Sequence, residues 1–132
     1  MLDPIAEMLT NIRNAVAARH KEVILSKSKL KLRLCEILKE EGYVENVEII
    51  NDGPQGHMKV SLKYADDART IGPIHQIKMI SRPGQRIYVQ NNRVPRIRQG
   101  LGIAVVSTSQ GLMTGHAARK RKLGGELIFQ VW

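Results

Sequence analysis

Two segments of this chain carry apolar residues at helical spacing, and most of the rest alternates or runs in short apolar stretches. That change of period restricts it to a mixed α and β fold. The first helical segment follows Asp3-Pro4, an Asp suited to cap a helix and a Pro suited to its first turn. Ile5, Met8, Leu9, Ile12, Ala15 and Val16 then recur on one face, which predicts a helix to about Ala18. Ala6, Thr10, Arg13, Asn14 and Ala17 gather on the other face. Small and hydrogen-bonding groups there would let a partner's backbone approach, although an ordinary wet helix face has the same composition.

Glu22–Leu25 reads as a short strand. A second helix then runs from a cap at Ser26 or Ser28 to Glu41, with Leu30, Leu34, Ile37 and Leu38 inward and Gly42 as its stop. Its first turn, Ser-Lys-Ser-Lys-Leu-Lys, places lysines against the positive end of the helix dipole. A phosphate held by free N–H groups, hydroxyls and ammoniums would reverse that penalty; solvated lysines that tolerate the site are the alternative. Tyr43–Ile50 and His57–Tyr64 alternate around NDGPQG, a hairpin pattern. Met58, Val60, Leu62 and Tyr64 point one way, and His57, Lys59, Ser61 and Lys63 the other.

Periodicity lapses over ADDARTIGP, residues 65–73, which reads as a linker between a domain of residues 1–64 and one of residues 74–132. The second domain is predicted as short strands at Ile74–Ile80 and Gln85–Val89 around a Ser-Arg-Pro-Gly turn, then an irregular basic connection, NNRVPRIRQGLG. A buried strand at Ile103–Val106, a short helix capped by Thr114 and broken at Gly124-Gly125, and a last strand at Glu126–Trp132 follow. In that last strand Leu127, Phe129 and Val131 are expected to alternate with Glu126, Ile128 and Gln130.

Charge separates the two halves more sharply than pattern does. Residues 1–70 hold eleven Lys/Arg and eleven Asp/Glu, whereas residues 71–132 hold ten Lys/Arg and one acid, Glu126. The formal net charge of +9 therefore resides in the second half and points to a polyanionic partner. No apolar run approaches the ~18 residues of a membrane span, and the N-terminus lacks the features of a secretory signal. Cys35 is the only cysteine, so a reducing, cytoplasmic setting is expected.

Within the basic half, VVSTSQGLMTG sets Ser107, Thr108 and Ser109 after a run of β-formers, with Gly111 close behind. A serine nucleophile needs a base and an orienting acid. His116 and Glu126 are the nearest candidates, and the G-x-S-x-G motif is absent. His20, His57, His75 and His116 are scattered, so no metal site is expected. Gly100-x-Gly102 lacks the third glycine of a dinucleotide fingerprint, since Val105 stands there. No catalysis, cofactor or small-molecule substrate is expected. Hydroxyls that donate and accept, glycines that admit a second backbone, and nearby cations suit nucleic acid. Aromatic content of 4% argues against a base-stacking platform and for shape and hydroxyl readout of folded RNA. A basic DNA-binding or general coating protein remains the alternative.

DPIAEMLTNIRNA, SKSKLKLRLCEILKEEGYV, SRPGQRIYV, GLGIAVVSTSQGLMT and GGELIFQVW occur in an order that resembles the bacterial-type small-subunit ribosomal protein S-eight family across nearly the whole chain. The resemblance implies an α+β fold of two domains, an N-terminal α-β-α-β-β domain and a mostly β C-terminal domain with one short helix. It implies binding to a distorted helical segment in the central domain of small-subunit ribosomal RNA, early subunit assembly, neighbouring small-subunit ribosomal proteins as partners and, in some bacteria, repression of its own operon through its mRNA. By position it places Ser107, Thr108, Ser109 and Gly111 in the RNA-reading loop, with Glu126 nearby. Thr10, Arg13, Asn14, Ser28, Lys29 and Lys31 fall where the N-terminal domain meets RNA. Arg86, Arg119 and Lys120 are the expected cations for flanking phosphates. Two departures are visible. Leu25 stands where the family commonly has Pro, and Gly115-His116-Ala117 replaces an Asp-Arg-Glu that would complete a capping box after Thr114.

Overall fold

A computed structural model describes residues 2–51, 53–90 and 102–132. The basic connection NNRVPRIRQGLG, except for its last residue Gly102, lies outside the described residues. The elements are α1 (Leu2–Ala17), β1 (Glu22–Ser26), α2 (Lys29–Glu40), β2 (Val44–Ile50), β3 (His57–Leu62), β4 (Ile77–Met79), β5 (Tyr88–Val89), β6 (Ile103–Thr108), β7 (Gly111–Thr114), α3 (Gly115–Lys120) and β8 (Gly125–Val131). Helices and antiparallel sheets together make an α+β fold. The chain divides into two compact units, one of Pro4–Ile74 and one that includes His75–Trp132.

In the first unit the strand order is β1-β3-β2, all antiparallel. Met58, Val60 and Leu62 of β3 are buried with Leu25 of β1, whereas His57 is exposed and Lys59 and Ser61 are half-buried. The predicted split of faces is therefore present along β3. Ile5, Met8, Leu9 and Ile12 of α1 and Leu34, Ile37 and Leu38 of α2 complete the core, each fully buried large side chain contributing about 1.5–3 kcal/mol. Met8 and Cys35 meet there, sulfur to sulfur at 3.8 Å. Helix α1 starts at Leu2, one residue before the expected cap, so Asp3 lies inside its first turn and Pro4 loses no hydrogen bond there. Ser28, not Ser26, caps α2, its hydroxyl accepting from the Lys31 N–H at 3.1 Å.

The three helices among the described residues stop in the same way. Arg19, Gly42 and Lys122 take positive φ of 59°, 83° and 57°. At each, the next N–H reaches back to a carbonyl five residues earlier: His20 to Ala15, Tyr43 to Leu38, Leu123 to Ala118. This is the Schellman stop, in which glycine is favoured because other residues meet a Cβ penalty. Gly42 was legible as such a stop; Arg19 and Lys122 were not, because only backbone geometry reveals them.

Residues 65–72 hydrogen-bond into a loop within the first unit. The Asp66 carboxylate accepts the N–H groups of Thr70 and Ile71, each at 2.9 Å, and the Thr70 hydroxyl. Tyr64 donates to the His20 carbonyl at 2.6 Å and Arg69 to that of Arg19 at 3.1 Å, so this segment closes over the end of α1.

The second unit is one antiparallel sheet ordered β4-β8-β6-β7, with β5 also paired to β8. The strands expected at Ile74–Ile80 and Gln85–Val89 shorten to three and two residues and do not pair with each other. Both lie along β8, β4 against Phe129–Val131 and β5 against Gly125 and Glu126. The expected alternation of the last strand is also corrected. Glu126, Leu127, Ile128, Phe129 and Val131 are all buried. Opposite Val105 and Val106 stand Phe129 and Leu127, so Ile128 is an extra, bulged residue. Helix α3 packs against β6 and β7 and, despite the missing capping box, is capped by Thr114, whose hydroxyl accepts from the Ala117 N–H at 3.1 Å.

Candidate nucleic-acid interface

The hydroxyl triplet does not form one loop. Ser107 and Thr108 end β6, Gly111 begins β7, and only Ser109 and Gln110 turn between them. The strand expected at Ile103–Val106 is thus two residues longer, since pairing with β7 and β8 holds Ser107 extended and pairing with β7 holds Thr108. The turn is stitched by Thr108. Its Oγ1 donates to the Gly111 carbonyl at 2.9 Å and accepts the Gln110 N–H at 3.1 Å. Gly111 has a φ of 107°, which a side chain would strain. Ser109, Gln110 and Gly111 are exposed and Ser107 is half-buried. Neither serine hydroxyl has a protein hydrogen bond among the described residues.

Cross-strand pairing puts Tyr88, Glu126, Ser107 and Leu112 in one row across β5, β8, β6 and β7. Paired residues share a face of a sheet, and this row contains the acid that sequence had placed only "nearby". The bulge at Ile128 decides it. Were β8 regular from Phe129 onward, Leu127 would stand opposite Ser107 instead of Glu126.

Glu126 is 5% exposed. Its Oε1 lies 3.6 Å from Arg86 Nη1, beyond a hydrogen bond, and its Oε2 is buried with no hydrogen-bond partner among the described residues. A buried carboxylate oxygen without a donor is costly. Beside it Ser107 offers a hydroxyl, and next along the row the Tyr88 side chain is 69% exposed. The row therefore combines a buried acceptor that needs a donor, a half-buried hydroxyl that does either, and an exposed aromatic surface. The cations lie at the end of α3, where Arg119 is half-buried and Lys120 exposed, with Arg121 and Lys122 following.

The first unit holds the remaining candidates. Thr10, Arg13 and Asn14 are all exposed on the outer face of α1. At α2, Lys29 is exposed, but the Ser28 hydroxyl already caps the helix and Lys31 Nζ donates to Ser26 Oγ at 2.7 Å. No acid occupies the first turn of α2.

The model of the family described as "Ribosomal protein S8" matches residues 3–132. The chain belongs to the ribosomal protein S8 family. Relatives named "Small ribosomal subunit protein uS8" include that of Natranaerobius thermophilus, 48% identical over 132 residues, covering 100% of this chain and 98% of the relative. The protein of Geotalea daltonii is 46% identical and that of Staphylococcus haemolyticus 48%, with the same coverage. The family consists of structural ribosomal proteins and not of enzymes, so the hydrolase reading of Ser107, His116 and Glu126 falls away.

For this S8-family chain, three residues at or beside the row escape the sequence reading. Tyr88 was legible in principle, since Ile87 and Val89 pack into the sheet's buried cluster with Ala104, Val106 and Leu127, and alternation turns Tyr88 to the other face. Gly125 was read as a helix breaker, yet a Cβ there would lie 2.9 Å from the Ser107 carbonyl carbon, 3.1 Å from Thr108 Cα and closer still to the Ser107 oxygen. Ser81, read as part of a turn, is fully buried.

Proposed function

We propose that this protein binds directly to the central domain of small-subunit ribosomal RNA and helps assemble the small subunit, at the cytoplasmic ribosome and beside other small-subunit proteins. One observation carries the reading: Glu126, the only acid in a half-chain with ten Lys/Arg, stands opposite Ser107 with its Oε2 lacking a donor among the described residues. An unsatisfied acceptor in a half-chain rich in cations suits a ligand that brings its own donors, as ribose hydroxyls and base amino groups do. Arg86, Arg119 and Lys120 attract phosphates without regard to sequence, while Ser107, Ser109, Glu126 and Tyr88 select. Thr108 and Gly111 shape the turn that presents them. Thr10, Arg13, Asn14, Ser28, Lys29 and Lys31 supply a second contact from the first unit. A messenger segment folded like the ribosomal site would meet the same row, which is the basis for repression of the protein's own operon.

Filter-binding titration of a central-domain transcript at several salt concentrations tests this. Ser107→Ala should cost about 1–3 kcal/mol of binding and leave the salt slope unchanged, since no charge is lost. Lys120→Gln should weaken binding to specific and unrelated RNA alike and flatten the slope. Equal effects of both variants on specific and unrelated RNA would overturn the division of labour. Equal affinity for duplex DNA would favour a coating protein.

A further inference from the structure

Only two polar or charged residues are buried among the described residues, Ser81 and Glu126, and both belong to the neighbourhood of the same row. Strand β5 is two residues long and cannot set its own register on β8. Between β4 and β5 the chain leaves the β8 edge at Met79, opposite Phe129, and returns at Tyr88, opposite Glu126. Eight residues thus span a gap of only two β8 residues, Leu127 and Ile128, and of these Ile80, Ser81 and Ile87 still hydrogen-bond to β8 while 82–86 loop out. At the neck of that loop the Ser81 hydroxyl takes the place of a rung of the ladder. Its Oγ donates to the Leu127 carbonyl at 2.7 Å and accepts the Ile87 N–H at 3.0 Å, while Leu127 N–H donates to the Ile87 carbonyl at 2.8 Å. The Ser81 N–H itself reaches the Ile128 carbonyl at 3.3 Å.

Ile87 is flanked by the two residues that face Glu126 from this side, Arg86 through its guanidinium and Tyr88 through strand pairing. We propose that Ser81 is a positioning residue for RNA recognition, its buried hydroxyl fixing Ile87 and so the register that sets Arg86 and Tyr88 against Glu126. The inference rests on the proposed RNA-binding row. Without the hydroxyl the Ile87 N–H and the Leu127 carbonyl lose their shared partner, and the outer strand is free to slide or lift from β8 although the loop tip, bridged both ways between Arg82 and Gln85 at 2.9 Å, is untouched.

A double-mutant cycle on the full chain, read as affinity for a central-domain transcript, tests this at a temperature where circular dichroism shows each variant folded. Ser81→Ala should weaken binding about tenfold, or about 1.4 kcal/mol. In a background of Arg86→Ala and Tyr88→Ala the same change should cost nothing further, because the groups it positions are gone. Ser81→Thr, which keeps the hydroxyl, should recover most of the loss. Should the alanine variant fail to fold, Ser81→Cys, which keeps the volume and weakens the hydrogen bonds, completes the cycle. A loss that simply adds to that of Arg86→Ala and Tyr88→Ala makes Ser81 a stabilising residue only and overturns the proposal. Undiminished binding by the Arg86→Ala, Tyr88→Ala protein overturns the row itself, and the role of Ser81 with it.

Discussion

Gly125 packs so closely on Ser107 that no side chain fits between β8 and β6 at this point; an added Cβ would fall 2.9 Å from the Ser107 carbonyl carbon. The obstacle is backbone, which cannot rotate aside. Gly125→Ala should therefore push the strands apart where Ser107 meets Glu126. The expected cost is about 1–3 kcal/mol of stability in urea unfolding, with a loss of specific RNA binding that persists at temperatures where the variant is folded.

Thr108 and Ser109 are neighbours with different work. The Thr108 hydroxyl is spent inside the turn, on Gly111 and Gln110, whereas Ser109 is exposed. Thr108→Val should lower stability by about 1 kcal/mol, read from thermal unfolding, and disturb RNA binding through the turn. Ser109→Ala should leave the unfolding curve in place and weaken binding alone.

Lys122 ends α3 in a left-handed conformation, with φ at 57°. Lys122→Gly should relieve the Cβ penalty and raise stability by about 0.5–1 kcal/mol. A gain in melting temperature together with weaker RNA binding would show that the cation is kept at this stop at the expense of the helix. The matched change Arg19→Gly should stabilise the first unit by a similar amount.

Burial pushes the Cys35 thiol up to about 12, with the Glu36 charge adding to the effect. Below that value it stays a protonated thiol, and the thiolate is the reactive form. Alkylation at pH 8 should therefore be negligible in the native protein and rapid in denaturant, as mass spectrometry after timed quenching would record.

The Asp66 carboxyl is held below the usual carboxylate range, first by the Thr70 hydroxyl and then by the Ile71 N–H. A depressed carboxylate lends its stabilisation above its unfolded pKa, near 3.9, and loses it as pH falls through the lower folded value. Acidification across that window should open the 65–72 loop, seen as faster amide exchange at Thr70 and Ile71. Asp66→Asn should show faster exchange at neutral pH with little further change on acidification.

Much of this molecule could be read from local pattern. Helical spacing of Ile5, Met8, Leu9 and Ile12 located α1, alternation around NDGPQG located the β2–β3 hairpin, and the near-absence of acids after residue 70, where Lys and Arg continue, marked the half that suits a polyanionic partner. Each is a property of neighbours along the chain, where side-chain period and charge act before any tertiary contact forms.

What only the tertiary structure decided is which distant residues share a face. One bulged residue, Ile128, shifts the pairing of β8 so that Glu126 rather than Leu127 stands opposite Ser107, and a buried Ser81 hydroxyl holds a two-residue strand beside them. Register along a sheet edge is set by the fit of whole strands to their neighbours, and a shift of one position exchanges the faces. No local pattern encodes that choice, because its cost and its gain fall on residues far apart along the chain.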